Sequence, residues 1–187
     1  MAAVDVLRHL SQTDCDAKWE LYGISGHQNV RGLAEIASQN RPQRIVLSDS
    51  SCQNDAMNLL RTIVFPGPAR VDVGPEMLVD LASDPEVDML VAAIVGRAGL
   101  ESTLAAIGLG KRVAIANKET LVVAGDLVRR SAAESGAQLL PVDSEHSAIF
   151  QCLASGGKPR RIILTASGGP FRRHAGRQRG VGDQRAR

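Results

Sequence analysis

The stretch Val87-Asp88-Met89-Leu90-Val91-Ala92-Ala93-Ile94 is almost continuously apolar. A strand with one face in water alternates apolar and polar residues, whereas an unbroken apolar run of this length is typical of a strand buried on both faces. Strands of that kind belong to parallel sheets that helices cover on both sides. Gly96 follows the run, and a helix is predicted over about residues 99–109. The stretch therefore predicts one strand–helix unit of an α/β protein.

The same strand–helix unit recurs on both sides of this stretch. Before it, strands are predicted at residues 18–24, 44–47 and 69–73, and helices at 30–39, 55–62 and 75–83. After it, strands are predicted at residues 112–116, 139–142 and 162–164, and a helix at 120–134 that Gly136 closes. This alternation, with its short connections, predicts a Rossmann-like α/β fold with a doubly wound parallel sheet.

The beginning of the chain does not fit the complete fold. Residues 2–10 predict a short helix, and neither a strand nor a Gly-rich turn precedes it. A Rossmann domain normally opens with such a strand and with a turn that holds a pyrophosphate at a helix amino terminus. We therefore expect the first strand and the Gly-rich loop to be missing from this sequence.

Composition narrows the class of protein. The 187 residues are 44% hydrophobic but only 3% aromatic, so the core must rest on aliphatic side chains. No apolar run reaches the roughly 18 residues of a membrane span, and the amino terminus lacks a signal-peptide core. The three cysteines are odd in number and widely spaced, which argues against a disulfide framework or a zinc knuckle. We expect a cytoplasmic protein with reduced thiols.

The net charge of +2 hides an uneven distribution. Residues 172–187 contain six Arg and one Asp, so this tail carries +5 and the remainder of the chain −3. Arg- and Gly-rich tails can bind nucleic acid through its phosphates, and they can also be simply disordered. The same composition arises when a gene of high GC content is read out of frame, which is the interpretation we favour.

The strongest candidate for chemistry is the polar end of the apolar run over residues 137–142. There the sequence continues Asp143-Ser144-Glu145-His146. In an open α/β sheet the ligand lies beyond the carboxyl ends of the strands, and two carboxylates this close together can converge on one hard divalent cation. Ser144 and His146 would add hydrogen-bonding groups. The alternative is that these residues only cap a helix and supply its first-turn acids.

Three other strand ends carry polar residues. His27, Gln28 and Asn29 follow the first predicted strand and include no carboxylate, which favours the 2′-phosphate of NADP over the ribose of NAD. Alternatively this is a polar loop with a helix cap. Asn117-Lys118-Glu119 follows residues 112–116, where Lys118 could reach a substrate oxygen, although the three residues could simply begin a helix. Ser167 precedes adjacent glycines that could bind an anion or merely break the chain.

Longer motifs decide between these alternatives. Residues 116–122 (Ala-Asn-Lys-Glu-Thr-Leu-Val), 140–151 (Leu-Pro-Val-Asp-Ser-Glu-His-Ser-Ala-Ile-Phe-Gln) and 164–172 (Leu-Thr-Ala-Ser-Gly-Gly-Pro-Phe-Arg) occur in this order. With residues 92–96 they closely resemble the 1-deoxy-D-xylulose 5-phosphate reductoisomerase family over residues 1–172. The resemblance implies an incomplete NADPH-binding domain over residues 1–136 and the start of a catalytic, metal-binding domain over 137–172. The Arg/Gly-rich tail over 173–187 lies outside it.

The resemblance also implies roles for individual residues. Asp143 and Glu145 would be two of three carboxylate ligands to Mg²⁺ or Mn²⁺. The catalytic residues would be these two carboxylates and Lys118. Lys118, Ser144, Glu145 and Ser167 would bind the substrate. The cofactor NADPH would be contacted by His27, Gln28, Asn29, Asn117 and Glu119, although His27 and Gln28 are not the residues expected at their positions.

The family reaction would convert 1-deoxy-D-xylulose 5-phosphate, a small sugar phosphate, to 2-C-methyl-D-erythritol 4-phosphate for isoprenoid biosynthesis. We expect this chain alone to be inactive, because the third metal carboxylate and the Gly-rich loop are not among its residues. The resemblance implies a homodimer. From the apolar runs and the composition of the tail, we expect neither a membrane nor a nucleic-acid partner. The alternative is a non-catalytic fragment that binds a nucleotide weakly or pairs with another chain through an open sheet edge.

Overall fold

A computed structural model describes residues 2–62, 69–154, 156 and 160–161 of the chain. Six strands alternate with seven helices over these residues. The strands are β1 (Gly23–Gly26), β2 (Arg44–Leu47), β3 (Arg70–Val73), β4 (Met89–Ala92), β5 (Arg112–Ile115) and β6 (Gln138–Pro141). The helices are α1 (Ala2–Thr13), α2 (Val30–Asn40), α3 (Gln53–Thr62), α4 (Glu76–Ser83), α5 (Leu100–Gly108), α6 (Lys118–Ser135) and α7 (Ser144–Ala154). Short 3₁₀ turns at Ser50–Cys52 and Gly96–Gly99 lead into α3 and α5.

The strands form two parallel sheets of three strands each. One sheet has the order β1-β2-β3 and the other β4-β5-β6, and every pairing within them is parallel. Helices connect all consecutive strands, so the sequence prediction of a Rossmann-like α/β fold is confirmed. The division into two sheets was not predicted.

Each sheet has its own apolar core. In the first, β2 is fully buried, with Ile45, Val46 and Leu47 inaccessible to solvent, and α2 packs on it through Leu33 and Ala37. The core of the second sheet combines residues of β4 and β5 with residues of α5 and α6, among them Ile107, Val113, Ile115 and Val128. Aliphatic side chains supply these cores, as the low aromatic content requires.

Capping residues mark the observed ends of α2 and α6. The side chain of Asn29 accepts a hydrogen bond from the Gly32 N–H at the start of α2, and Asn117 does the same for Glu119 at the start of α6. Gly136 ends α6 with a φ of 77°, a left-handed conformation that glycine adopts without steric cost. Arg41 ends α2 in the same region, with a φ of 50°.

Two sequence expectations about strands are wrong. The first strand begins at Gly23 and not at residue 18, because the Trp19 indole donates a 2.7 Å hydrogen bond to the Asp14 carboxylate and holds that segment against the end of α1. The stretch around β4 was predicted to be buried on both faces, yet Val91 is 45% exposed. The described residues place a neighbouring strand on only one side of β4.

An ionic cluster lies near the amino ends of the strands, whereas ligands are expected at their carboxyl ends. Arg44, which is 5% exposed, donates to Asp72 at 2.8 Å, to Asp80 at 2.6 Å and to Asp84 at 3.1 Å. The Tyr22 hydroxyl also donates to Asp84, at 2.8 Å. Asp84 lies between α4 and β4, so the cluster links the two sheets.

Several sequence predictions fall outside the described residues. These are the strand at residues 162–164, the loop that contains Ser167 and the tail over residues 173–187. The predicted division of the chain into residues 1–136, 137–172 and 173–187 also stays a prediction. Within the part of the chain that the structure describes, no helix is both long and apolar enough to cross a membrane.

Candidate functional site

The predicted adenosine end lies at the carboxyl ends of β1 and β2. His27, Gln28 and Asn29 are exposed there. The His27 ring Nδ1 lies 3.1 Å from the Ser48 hydroxyl, and the Gln28 amide donates a short hydrogen bond to the Asp49 carboxylate. The side chain of Asn29 is occupied as the cap of α2.

Asp49 is a residue of this site that the sequence analysis missed. The Oδ1 atom of Asp49 accepts a 2.8 Å bond from the Ser51 N–H. Its Oδ2 atom, which accepts the bond from Gln28, lies 3.9 Å from Nε2 of His27. The hydrogen bond from Gln28 and those from Ser51 lower the pKa of Asp49 to about 2, so it is a carboxylate at neutral pH. The available signal was its position two residues beyond the carboxyl end of β2.

The Asn117 side chain lies just beyond the carboxyl end of β5 and is 4% exposed. Its amide group donates to the backbone carbonyls of Ile94, at 2.6 Å, and Gly96, at 2.9 Å, and its oxygen accepts from the Glu119 N–H at 3.0 Å. This one side chain therefore joins the loop after β4 to the first turn of α6. The geometry gives Asn117 a positioning role at the site.

Lys118 and Glu119 begin α6 and are both exposed. The positive charge of Lys118 contributes to lowering the pKa of Asp143, after the larger contributions of the hydrogen bonds from His146. The structure thus brings Lys118 into the electrostatic reach of Asp143, across the ends of the neighbouring strands β5 and β6.

Asp143 lies two residues beyond β6 and is also the cap of α7. Its Oδ1 accepts a 3.0 Å bond from the backbone N–H of His146, and both of its oxygens lie 2.8 Å from Nδ1 of the His146 ring. These contacts lower the pKa of Asp143 despite its partial burial, with the backbone hydrogen bond as the largest cause. The capping interpretation weighed from the sequence is therefore correct for Asp143, and it leaves the ligand interpretation open because a carboxylate accepts several bonds.

Glu145 lies on the exposed first turn of α7, where its Oε2 accepts a 3.0 Å bond from the Ser144 hydroxyl. Hard divalent cations bind carboxylate oxygens of this kind. Among the residues described, no three or more His, Cys, Asp and Glu side chains form a complete metal site. That Asp143 and Glu145 are two ligands of a larger set stays a prediction.

The structure groups the predicted residues into two parts. Lys118, Asn117 and Glu119 at β5 and the residues 143–146 at β6 share the end of the second sheet. His27, Gln28 and Asn29 occupy the end of the first sheet. Ser167 lies outside the described residues and has no assigned place.

The fold and the polar ends of its strands define a Rossmann-like α/β protein. Within that class, the family model described as 1-deoxy-D-xylulose 5-phosphate reductoisomerase matches residues 2–125, and the model of its C-terminal domain matches residues 139–180. The chain belongs to the 1-deoxy-D-xylulose 5-phosphate reductoisomerase family.

Relatives and solved structures agree with this assignment. The 1-deoxy-D-xylulose 5-phosphate reductoisomerase of Rhodopirellula baltica is 46% identical over 92% of this chain and 48% of its own length. The enzyme of the same name from Acinetobacter baylyi is 45% identical over 82% of this chain and 41% of its own. This chain therefore spans less than half the length of these curated relatives.

The solved structure of the Zymomonas mobilis reductoisomerase in complex with NADPH superimposes with a TM-score of 0.74 and 41% identity. That match covers 89% of this chain and 43% of the other. A DOX-P reductoisomerase in complex with NADPH, fosmidomycin and magnesium gives a TM-score of 0.67 and 40% identity, over 79% of this chain and 35% of the other.

Proposed function

We propose that this chain is part of an NADPH- and metal-dependent enzyme that rearranges and reduces 1-deoxy-D-xylulose 5-phosphate to 2-C-methyl-D-erythritol 4-phosphate. Family membership supports the proposal, and so do the names of related structures that hold NADPH and magnesium. The observation on this chain that carries it is that Lys118 and Asp143 lie just beyond the carboxyl ends of the neighbouring strands β5 and β6, with Glu145 on the first turn of α7.

In this proposal Asp143 and Glu145 hold Mg²⁺ or Mn²⁺, which supplies Lewis-acid stabilisation of negative charge when it is bound. Lys118 neutralises charge on the substrate oxygens, and Ser144 and Ser167 bind the substrate by hydrogen bonds. His146 and the start of α7 keep the Asp143 carboxylate oriented and ionised.

NADPH would lie along the carboxyl ends of both sheets. His27, Gln28 and Asn29 would contact its adenosine end, and the Ser48 and Asp49 side chains fix the first two of these. Asn117 and Glu119 would contact the nicotinamide half, with Asn117 acting through the loop that it holds. Dimerisation stays a prediction from the resemblance, and a cytoplasmic location stays a prediction from composition.

Manganese binding tests the metal site. We expect the 187-residue chain to bind Mn²⁺, measured by the loss of the free-ion electron paramagnetic resonance signal, and Glu145→Gln to weaken binding by about tenfold or more. Asp126→Asn is the matched control, because Asp126 is a carboxylate on α6 whose side chain is 99% exposed. Equal Mn²⁺ affinity in E145Q and the unaltered chain would contradict the assignment.

A second candidate is a non-catalytic nucleotide-binding protein, which would use the polar group of His27, Gln28 and Asp49 at the carboxyl ends of β1 and β2. The two functions differ in one assay. NADPH consumption that depends on 1-deoxy-D-xylulose 5-phosphate, by this chain or by the longer protein that contains it, supports the enzyme. NADPH binding without substrate-dependent consumption in both would support the second candidate.

A further inference from the structure

Four polar side chains lie together just beyond the carboxyl ends of β1 and β2. They belong to His27, Gln28, Ser48 and Asp49, and we call them the Asp49 cluster. The Ser48 N–H donates to the carbonyl of Gly26 at 2.9 Å, so the two segments stay side by side beyond the last paired residues of the strands. Residues 27–28 therefore lie beside residues 48–49.

Asp49 is the fixed member of this cluster. Its Oδ1 accepts a 2.8 Å bond from the Ser51 N–H, and the residue caps the 3₁₀ turn Ser50–Cys52. Because the donor is a backbone group of a regular turn, the carboxylate has little freedom to rotate away. The side chain is also only 20% exposed. The other oxygen, Oδ2, therefore has a defined position beside Gln28.

Gln28 is held by that second oxygen. Its side-chain amide donates a hydrogen bond to Asp49 Oδ2. A carboxamide nitrogen has two N–H groups, and this bond uses one of them. Gln28 is exposed, so the second N–H is open to a ligand at the carboxyl end of β1.

His27 offers another donor at the same place. Its Nδ1 lies 3.1 Å from the Ser48 hydroxyl, while its Nε2 lies 3.9 Å from Asp49 Oδ2, which is too far for a hydrogen bond. When the Ser48 hydroxyl donates to Nδ1, the ring proton is on Nε2. The His27 side chain is 72% exposed, so a ligand beside Gln28 reaches this N–H as well.

The charge of Asp49 conflicts with a phosphate at this position. Hydrogen bonds from Gln28 and from Ser51 lower its pKa to about 2, so it is a carboxylate at neutral pH. A carboxylate at the adenosine end accepts hydrogen bonds from a ribose hydroxyl and repels a 2′-phosphate. By charge alone, Asp49 favours NADH over NADPH. Both of its oxygens, however, already accept hydrogen bonds from the protein.

We propose that Asp49 is a positioning residue that determines the preference for NADPH, because it holds the amide of Gln28 as a donor to the 2′-phosphate beside the ring of His27. In this arrangement the carboxylate acts on the nucleotide through its neighbour and not directly. The inference rests on the proposed function, since it takes residues 27–29 as the adenosine end of the cofactor site. It adds the residue that sets the preference and the sign of its effect.

Two nucleotides that differ only in the 2′-phosphate test the proposal on the 187-residue chain. They are adenosine 2′,5′-bisphosphate and adenosine 5′-monophosphate, which represent the adenosine ends of NADPH and NADH. Their dissociation constants are measured by NMR titration, and we call the ratio of the two the phosphate preference. We expect the unaltered chain to bind the bisphosphate more tightly by about tenfold or more.

Asp49→Ser is the decisive variant. A serine hydroxyl still accepts the Ser51 N–H and caps the turn, but it lacks the second oxygen to which Gln28 donates. Positioning by Asp49 predicts that the phosphate preference falls by about tenfold. Repulsion alone predicts the opposite sign, because removal of a negative charge strengthens binding of the bisphosphate.

Gln28→Ala tests the same link from the other side. Gln28 is exposed, so this variant should keep the fold while it lowers the phosphate preference by a similar factor. If Asp49 acts through Gln28, the double variant loses little more than either single variant, whereas independent effects multiply. Asp55→Asn is the control for charge, because Asp55 is exposed in the first turn of α3, and it should leave the preference unchanged.

Three results would overturn the proposal and leave the proposed function standing. A higher phosphate preference in Asp49→Ser would show that the carboxylate acts by repulsion. An unchanged preference in that variant, or multiplied effects in the double variant, would show that Asp49 does not act through Gln28. If the unaltered chain binds neither nucleotide, or binds both equally, the adenosine site of the proposed function fails and the inference fails with it.

Discussion

Asp143 and His146 are joined twice, because the carboxylate accepts the His146 backbone N–H at 3.0 Å and lies 2.8 Å from the ring Nδ1 through each of its oxygens. One side chain thus begins α7 and faces the candidate metal site at the same time. The two roles place different demands on it, since a helix cap needs an oxygen acceptor and a cation needs negative charge.

Asp143→Asn should separate these two roles. Asparagine caps helices about as well as aspartate, so we expect the unfolding free energy to change by less than about 1 kcal/mol at pH 7 while Mn²⁺ affinity falls by about tenfold or more. Asp143→Ala should lose both, with a further cost of about 1 kcal/mol from the missing cap. Thermal unfolding and Mn²⁺ titration of both variants measure this, and equal stability of D143N and D143A would argue against the capping role.

Arg44 should be far more important for stability than its neighbour Arg70. Arg44 is buried among Asp72, Asp80 and Asp84, so Arg44→Met leaves carboxylates without their partner and should cost about 3–5 kcal/mol. Arg70 contacts Asp72 at 2.8 Å from a side chain that is 60% exposed, and Arg70→Met should cost about 1 kcal/mol or less. Urea unfolding of the two variants provides the comparison, and similar losses would show that burial does not govern this cluster.

Asn117 should stabilise the protein in two separable ways, as the cap of α6 and through its hydrogen bonds to the loop after β4. Asn117→Ala removes the α6 cap and the two hydrogen bonds that the buried Asn117 side chain donates to the carbonyls of Ile94 and Gly96, which together should cost about 3 kcal/mol. Asn117→Ser keeps an oxygen for the cap, so we expect a loss of about half that size. If calorimetry finds the serine variant as unstable as the alanine variant, the loop contacts and not the cap carry the whole effect.

Asp49 should make stability depend on pH in the acidic range. Its pKa falls from the ordinary 3.8 to about 2 in the folded protein, so its contribution is fully present above pH 3.8 and is lost as the pH falls toward 2. The stability difference between the unaltered chain and Asp49→Asn should therefore be constant from pH 7 to about 4.5 and shrink below that. Denaturant unfolding across this range measures it, and a difference that stays constant down to pH 2 would contradict the prediction.

The features that were predicted correctly from the sequence depend on residues close to one another along the chain. Asn29, Asn117 and Gly136 mark helix ends because their capping bonds reach only two to four residues. Strand β2 was predicted at residues 44–47 as part of the recurring strand–helix unit, and the structure has the same boundaries.

The features that the sequence did not predict depend on distant residues. Asp49 joins the candidate site only because β2 ends beside β1, and no local pattern distinguishes it from any turn aspartate. The Arg44 cluster draws on residues up to 40 positions away. The exposure of Val91 follows from which strand lies beside β4, whereas its apolar neighbours indicate only that β4 can be buried.

The position of Asp84 has a mechanical consequence. Its side chain accepts bonds from Arg44 and Tyr22 of the first sheet, while its backbone carbonyl accepts one from Lys111, which leads into β5 of the second. These hydrogen bonds thus join the two sheets near the amino ends of their strands. The spacing between the adenosine end and the carboxylate end of the site therefore depends on contacts that lie about one strand length away from either.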